Sequence, residues 1–311
     1  MKEIYLGVDG GGTKTSYFLE KNGEKFEVIG KTLHLKQISR EDFIKRFNLA
    51  IKSLCEKADI NVTDITYSFI ALPGFGQFPE DEDFILTNLR KSLMTDDFSV
   101  DNDCVNGWAG SLNAQPGINL VLGTGSIGFG IDDEGNKLSC GGWGYFVGDE
   151  GSGYYLGKKI INIFSKMSDG RYEKTLIYDK VKEKLKLEDD YDIITKSVNM
   201  SRDEIASLST ILGEAIENKD KYAMALLDDL ANEASLIINT MACKMHFKDK
   251  VIVSYSGGIF NLGNILIKAI QDKLNENVII VSPYAGPSEG ALILAKNFYK
   301  FGKNHYINGW L

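Results

Sequence analysis

The chain opens with three short runs of strand character, Ile4-Tyr5-Leu6-Gly7-Val8, Ser16-Tyr17-Phe18-Leu19 and Lys25 to Ile29. Its periodicity then changes. From Arg40 to Lys57 the residues Phe43, Phe47, Ala50, Ile51 and Leu54 recur at helical spacing, which predicts a helix with one buried stripe. The run Tyr67 to Leu72 reads as a buried strand ending at Pro73-Gly74-Phe75-Gly76. A helix over about residues 82–93 and a strand at Phe98-Ser99-Val100 follow. Together these predict a mixed sheet of three antiparallel strands continued by βα units.

The pattern then begins again. Ile118 to Leu122 is a buried strand, Gly123-Thr124-Gly125-Ser126 its turn, and Ile127 to Ile131 its partner. The likeness to residues 4–19 suggests a structural duplication, two similar domains facing each other across a cleft. Turn residues at Asn113-Ala114-Gln115-Pro116-Gly117 suit a boundary. The expected division is a first domain over residues 1–114, a second over 115–290, and a terminal helix over 291–311 that packs back on the first. Between about 150 and 247 the chain reads as mainly helical, with a long periodic stretch from Lys221 to Met245. A strand at Val251 to Ser254, a helix from Leu262 to Leu274 and a strand at Val278 to Val281 come next. Pro287 opens the last helix at its first turn, where a missing N–H costs nothing.

The turn after the first strand is Asp9-Gly10-Gly11-Gly12-Thr13-Lys14-Thr15. Three glycines between two strands let backbone N–H groups approach an anion, which makes this a candidate phosphate turn. Asp9, at the strand end, is the candidate Mg²⁺ ligand, because that ion takes one or two carboxylates beside phosphate oxygens. Two other nucleotide motifs are excluded. A P-loop needs lysine where Thr13 stands, and it must run into a helix. Gly123-Thr124-Gly125-Ser126-Ile127-Gly128 has dinucleotide-binding spacing, but it leads into a strand and the turn Asp133-Glu134-Gly135-Asn136. It is a second hairpin.

Composition narrows the function classes. A length of 311 residues suggests about two domains, with 43% apolar and 25% charged residues, ordinary values for a soluble globular protein. A net charge of −8 disfavours nucleic-acid and anionic-membrane partners, and no apolar run is long enough to span a bilayer. A cytoplasmic location is expected. Cys55, Cys104, Cys140 and Cys243 are scattered, which disfavours a zinc site or disulfide framework. With His34, His246 and His305 as its histidines, the chain has little for histidine-based catalysis.

Six motifs, Asp9 to Thr13, Asn102-Asp103, Gly123 to Ser126, Gly141-Gly142-Trp143-Gly144, Gly148-Asp149-Glu150-Gly151-Ser152-Gly153 and Ser256-Gly257-Gly258-Ile259, stand in order along the chain. In these motifs the sequence resembles the N-acetylglucosamine kinase and BadF-type ATPase family of the actin–hexokinase–Hsp70 superfamily. The resemblance implies an α/β fold of two actin-like (ribonuclease H-like) domains around a central nucleotide cleft. It implies ATP and Mg²⁺ as cofactors, with Gly10, Gly11, Gly12, Thr13 and Lys14 and the turn Gly123, Thr124, Gly125 and Ser126 on the phosphates, and Gly257 and Gly258 by the adenosine. Asp103 resembles the catalytic base, taking the proton of the attacking sugar hydroxyl, a role worth on the order of 10²–10⁴ in rate. From the residues alone it also admits a helix N-cap.

The resemblance also implies a sugar site formed by Gly74, Asp103, Trp143, Gly144 and Asp149. One stretch departs from the family. Where related kinases place an asparagine against a sugar hydroxyl, this chain has Thr32-Leu33-His34-Leu35-Lys36-Gln37. Gln37 would replace that amide, and His34 with Lys36 would receive a carboxylate such as the lactyl group of N-acetylmuramic acid.

The expected activity is an ATP-dependent amino-sugar kinase acting on N-acetylglucosamine and/or N-acetylmuramic acid at O6, with a small-molecule acceptor and a homodimeric state. Three alternatives stay open: a glucosamine kinase, an ATPase activator carrying a [4Fe–4S] cluster between subunits, and a non-catalytic sugar sensor. The second needs closely placed thiolates, which the cysteine spacing does not offer.

Overall fold

The computed structural model describes residues 3–303 together with Tyr306 and Ile307. The chain divides into two units, Met1–Pro116 with Ser282–Leu311, and Gly117–Val281. The sequence reading set these divisions at 114/115 and 290/291. Part of its terminal segment, and His305, lie outside the described residues.

In the first unit β1 (Ile4–Gly10) pairs antiparallel with β2 (Lys14–Lys21), which pairs with β3 (Glu24–Lys31). On its other side β1 runs parallel to β4 (Tyr67–Leu72), and β4 to β5 (Phe98–Asn102), giving the order β3-β2-β1-β4-β5. All six residues of β4 are buried, as a parallel strand covered on both faces requires. Helix α1 (Arg40–Ala58) buries Phe43, Phe47, Ala50, Ile51 and Leu54, the stripe read from periodicity. Helix α2 (Pro79–Leu93) starts earlier than its apolar pattern indicates, because Pro79 stands at its start and Glu80, Asp81 and Glu82 in its first turn suit the dipole. Helix α3 (Asp103–Leu112) follows β5 without a loop.

The second unit repeats the plan. Strand β6 (Gly117–Leu122) pairs antiparallel with β7 (Ser126–Ile131) and β7 with β8 (Lys137–Gly141), while β6 runs parallel to β9 (Val251–Ser256) and β9 to β10 (Val278–Ile280). The order β10-β9-β6-β7-β8 matches that of the first sheet strand for strand. Strand β8 escaped the sequence reading because it is a short edge strand whose inward face, Leu138 and Cys140, is only half buried. Between β8 and β9 come α4 (Gly153–Ser168), α5 (Leu176–Leu185), α6 (Asp192–Asn199), α7 (Arg202–Ser207), α8 (Ile211–Glu217) and α9 (Lys221–Lys244). Between β9 and β10 lies α10 (Asn264–Gln271), shorter than expected because residues 258–262 form a 3₁₀ turn.

Helix α11 (Pro287–Phe301) belongs to the first unit. It approaches β1 so closely that a Cβ on Gly7 would lie 2.7 Å from the Leu292 nitrogen. It crosses α3 where Gly110 and Gly290 meet; a Cβ on Gly290 would fall inside the Asn106 carbonyl. Only glycine admits two backbones at that spacing.

Candidate active site

Within the first unit the chemistry collects at the carboxyl ends of the parallel strands, where ligands of open α/β sheets sit. Register places Asp9 of β1 beside Ala71 of β4, and Ala71 beside Asp101 of β5. Asp9 Oδ1 accepts a 2.7 Å bond from Asn106 Nδ2 of α3, and its Oδ2 one of 3.2 Å from Ser288 Oγ of α11. Burial lifts the Asp9 carboxyl above the usual range, outweighing those bonds and the charge of Lys14.

Asp103 is the first residue of α3. Its pKa is pushed up to about 6, mainly by burial and then by the like charge of Asp9. The N-cap is its neighbour Asn102, whose side chain accepts the Cys104 N–H at 3.1 Å. The capping reading of Asp103 is therefore filled by another residue, which leaves the Asp103 carboxyl to other work. Asp101, two residues earlier, takes the Tyr306 hydroxyl at 2.7 Å.

The triple-glycine turn lies beside these carboxylates. Gly11 N–H closes it by donating to the Lys14 carbonyl at 2.8 Å. Thr32 braces it through its own N–H on the Thr13 carbonyl and its hydroxyl on the Gly11 carbonyl. Lys14 is exposed at the start of β2. The Gln37 amide is the nearest side-chain group to a Cβ built on Gly12, at 3.9 Å. Gly74 follows β4 with a positive φ, and His34 lies beside it.

The expected cationic pair is differently engaged. Lys36 Nζ lies 2.9 Å from Asp81 and 3.1 Å from Glu80, and over the Phe78 ring. Burial, then the charge of Lys36, holds His34 below its usual pKa, so the imidazole is neutral at pH 7.

The donor set suits Mg²⁺. Two carboxylates, Asp9 and Asp103, stand close enough for one to raise the pKa of the other, and hard oxygen donors with few protein ligands are what this ion takes. Among the described residues no group of three or more His, Cys, Asp or Glu could hold a metal by itself.

In the second unit the turn Gly123-Thr124-Gly125 leads from β6 into Ser126 of β7. Gly123 N–H donates to the Gly125 carbonyl at 2.9 Å. Gly257, after β9, lies against this turn: its φ is +105°, and a Cβ there would collide with the Leu122 carbonyl. Gly258 opens the 3₁₀ turn that follows.

Asp149 is 4% exposed and has φ +59°. Its Oδ1 accepts the Ser126 N–H at 3.4 Å and its Oδ2 an Nη2–H of Arg202 at 2.5 Å. Asp149 is thus joined to the glycine turn. Trp143 and Gly144 lie in the loop after β8, with Trp143 78% exposed. The acidic residues of 148–153 stand before the helix rather than in it, because Ser152 is the N-cap of α4.

Residues 6–295 match the profile of the BadF/BadG/BcrA/BcrD ATPase family. The chain belongs to this family. Among its relatives, the N-acetylmuramic acid/N-acetylglucosamine kinase of Clostridium acetobutylicum is 29% identical over 300 residues, covering 94% of this chain and 98% of that one. The N-acetyl-D-glucosamine kinase of Dictyostelium discoideum is 30% identical, covering 96% and 99%. A solved structure of a candidate N-acetylglucosamine kinase from Chromobacterium violaceum superposes with a TM-score of 0.75 at 23% identity, covering 94% and 98%. A hexokinase structure gives 0.58 at 13% identity, covering 94% of this chain and 84% of that one. These two establish the shared α/β sugar-kinase fold.

Three polar residues of this family member escaped the sequence reading. Asn106 lies one turn beyond Asp103 on α3, a spacing that would have aimed it at the same end of the sheet. Ser288 and Arg202 carried no local signal.

Proposed function

We propose that the protein is an ATP- and Mg²⁺-dependent kinase that transfers the γ-phosphate to O6 of N-acetylglucosamine and/or N-acetylmuramic acid. The observation that carries this reading is the pair Asp9 and Asp103 beside the triple-glycine turn, with Asp103 held near pKa 6. A carboxylate of that basicity is ionised at pH 7 yet basic enough to accept the proton of an attacking hydroxyl. The two amino-sugar kinase relatives, aligned over nearly the whole chain, support the acceptor class.

In this reading Asp103 orients and deprotonates the sugar hydroxyl. The turn at Gly10 to Thr13 and that at Gly123 to Ser126 hold the polyphosphate, and Gly257 and Gly258 lie by the adenosine. Asp9 would hold Mg²⁺, which when bound neutralises phosphate charge. Phosphoryl transfer asks for little more than such positioning. Gln37, whose amide lies beside Gly12, is the proposed partner of a sugar hydroxyl, and Gly74 with His34 and Trp143 with Gly144 complete the proposed acceptor contacts.

We place N-acetylglucosamine ahead of its muramic relative. A lactyl carboxylate would have to draw Lys36 away from Asp81 and Glu80, and His34 brings no charge. Coupled ADP release with N-acetylglucosamine, N-acetylmuramic acid, glucosamine and glucose tests the reading. Turnover should depend on an N-acetylated sugar and collapse in Asp103→Asn. ADP release indifferent to every sugar would overturn it.

A further inference from the structure

Arg202 sits on α7, whose start is set by a capping box between Ser201 and Glu204. Its Nη2 meets the buried Asp149 carboxylate, and the same nitrogen lies 2.7 Å from where a Cβ on Gly125 would stand. The next residue, Asp203, accepts the Thr124 hydroxyl at 3.0 Å. Two consecutive residues of one short helix therefore meet the glycine turn, Asp203 by a hydrogen bond to Thr124 and Arg202 by close approach to Gly125.

The guanidinium is more than a counter-ion for Asp149. Its side chain is 41% exposed, and its bond to Asp149 uses one of five N–H donors. Its Cζ lies over the Tyr145 ring, 5.3 Å from the ring centre, and Tyr145 packs edge-on against Tyr154 at 5.0 Å. A planar fork fixed on one side by a carboxylate and on its face by an aromatic ring has its remaining donors in a set direction. The guanidinium stands beside the turn, with Nη2 against Gly125, and part of it is open to solvent.

We propose that Arg202 is a phosphate-binding cation of the second unit, positioned by Asp149 and directed at the terminal phosphates of a nucleoside triphosphate held at the Gly123–Ser126 turn. This rests on the nucleotide reading of that turn given above. Asp149 is then a positioning residue, acting on the phosphates through Arg202 and Ser126.

The test is calorimetric binding of AMP, ADP and ATP, without sugar, to the wild-type protein and to Arg202→Ala and Arg202→Lys. ATP should bind Arg202→Ala about ten- to a hundredfold more weakly, the scale of one charged hydrogen bond. AMP binding should hardly change, so the preference for the longer phosphate chain collapses, and Arg202→Lys should recover part of it as a point charge. Equal weakening of all three nucleotides would overturn the inference, leaving Arg202 as a brace of the turn; so would no weakening. Should Arg202→Ala fail to melt cooperatively, Arg202→Gln and Arg202→Lys read the same ratio. A wild-type protein that binds none of the three would remove the nucleotide reading itself, and the inference with it.

Discussion

Asp103 holds its proton too tightly for an ordinary carboxyl, first because it is buried and then because of the like charge of Asp9, 94 positions away in sequence. In the kinase reading kcat/KM should fall as pH drops through about 6, where the base becomes protonated. The pH–rate profile checks this, and Asp103→Asn should lose on the order of 10²–10⁴ in kcat together with that limb. Stability moves the other way. Between pH 3.8 and about 6 the folded protein keeps a proton that the unfolded chain has released, so stability falls as pH rises through that window. Above it the cost persists. Asp103→Asn should therefore unfold at higher urea concentration at pH 7, by about 1 kcal/mol once the partial exposure of the side chain is allowed for. A variant that is less active and also less stable would contradict the assigned cause of the shift.

Lys36 allows a separate comparison at the same scale. Michaelis constants for N-acetylmuramic acid and N-acetylglucosamine should stay in the same ratio in Lys36→Ala, because Asp81 and Glu80 already engage its charge. A selective loss for the muramic sugar would show that Lys36 exchanges partners on binding. Residues such as Asp9 and Asp103 stand in short motifs that announce them as candidates. Asn106, Ser288 and Arg202 were not, since each is defined by a partner 97, 279 or 53 positions away.

Among the elements, strands that are buried on both faces and helices with one apolar stripe were readable from periodicity alone. Strand β4 and helix α1 are examples. Strand β8 was not, because in five residues only Leu138 and Cys140 face inward, too short a run to announce a period. The crossing of α3 and α11 was equally silent, since a glycine in a helix looks locally like a weakness. Its value emerges only from the backbone on the other side. Gly290→Ala should cost about 2 kcal/mol or more in urea unfolding, as the two helices are forced apart. Gly213→Ala in α8 makes the contrast. There a Cβ meets only Leu262 Cδ2 at 3.7 Å, an ordinary contact, so the substitution should stabilise by about 0.5–1 kcal/mol.

For the whole molecule, duplication was visible as a repeated strand, turn, strand pattern, and the two sheets share one strand order. The helices from α4 to α9 make the second unit the larger insertion, and they bury a separate core that includes Leu156, Phe164, Leu212, Leu227 and Ile238. Because residues 117–281 are continuous and carry that core, this segment expressed alone should melt cooperatively by circular dichroism. The first unit is discontinuous, and a chain ending at Val281 should lack its cooperative transition. Equal melting of the truncated and full chains would show that α11 contributes nothing to the first core.

The route of the chain also sets when this protein becomes competent during its own synthesis. Ser288 reaches Asp9 across 279 positions, and Gly290 seats α11 on α3 only after the whole second unit has been made. At a translation rate of roughly 5–20 residues per second, Asp9 waits about 15 to 55 s for that hydroxyl. During the wait the second unit folds first although it is encoded later. A ribosome that stalls before Pro287 would release a chain with its second glycine turn assembled and its first carboxylate pair unbraced.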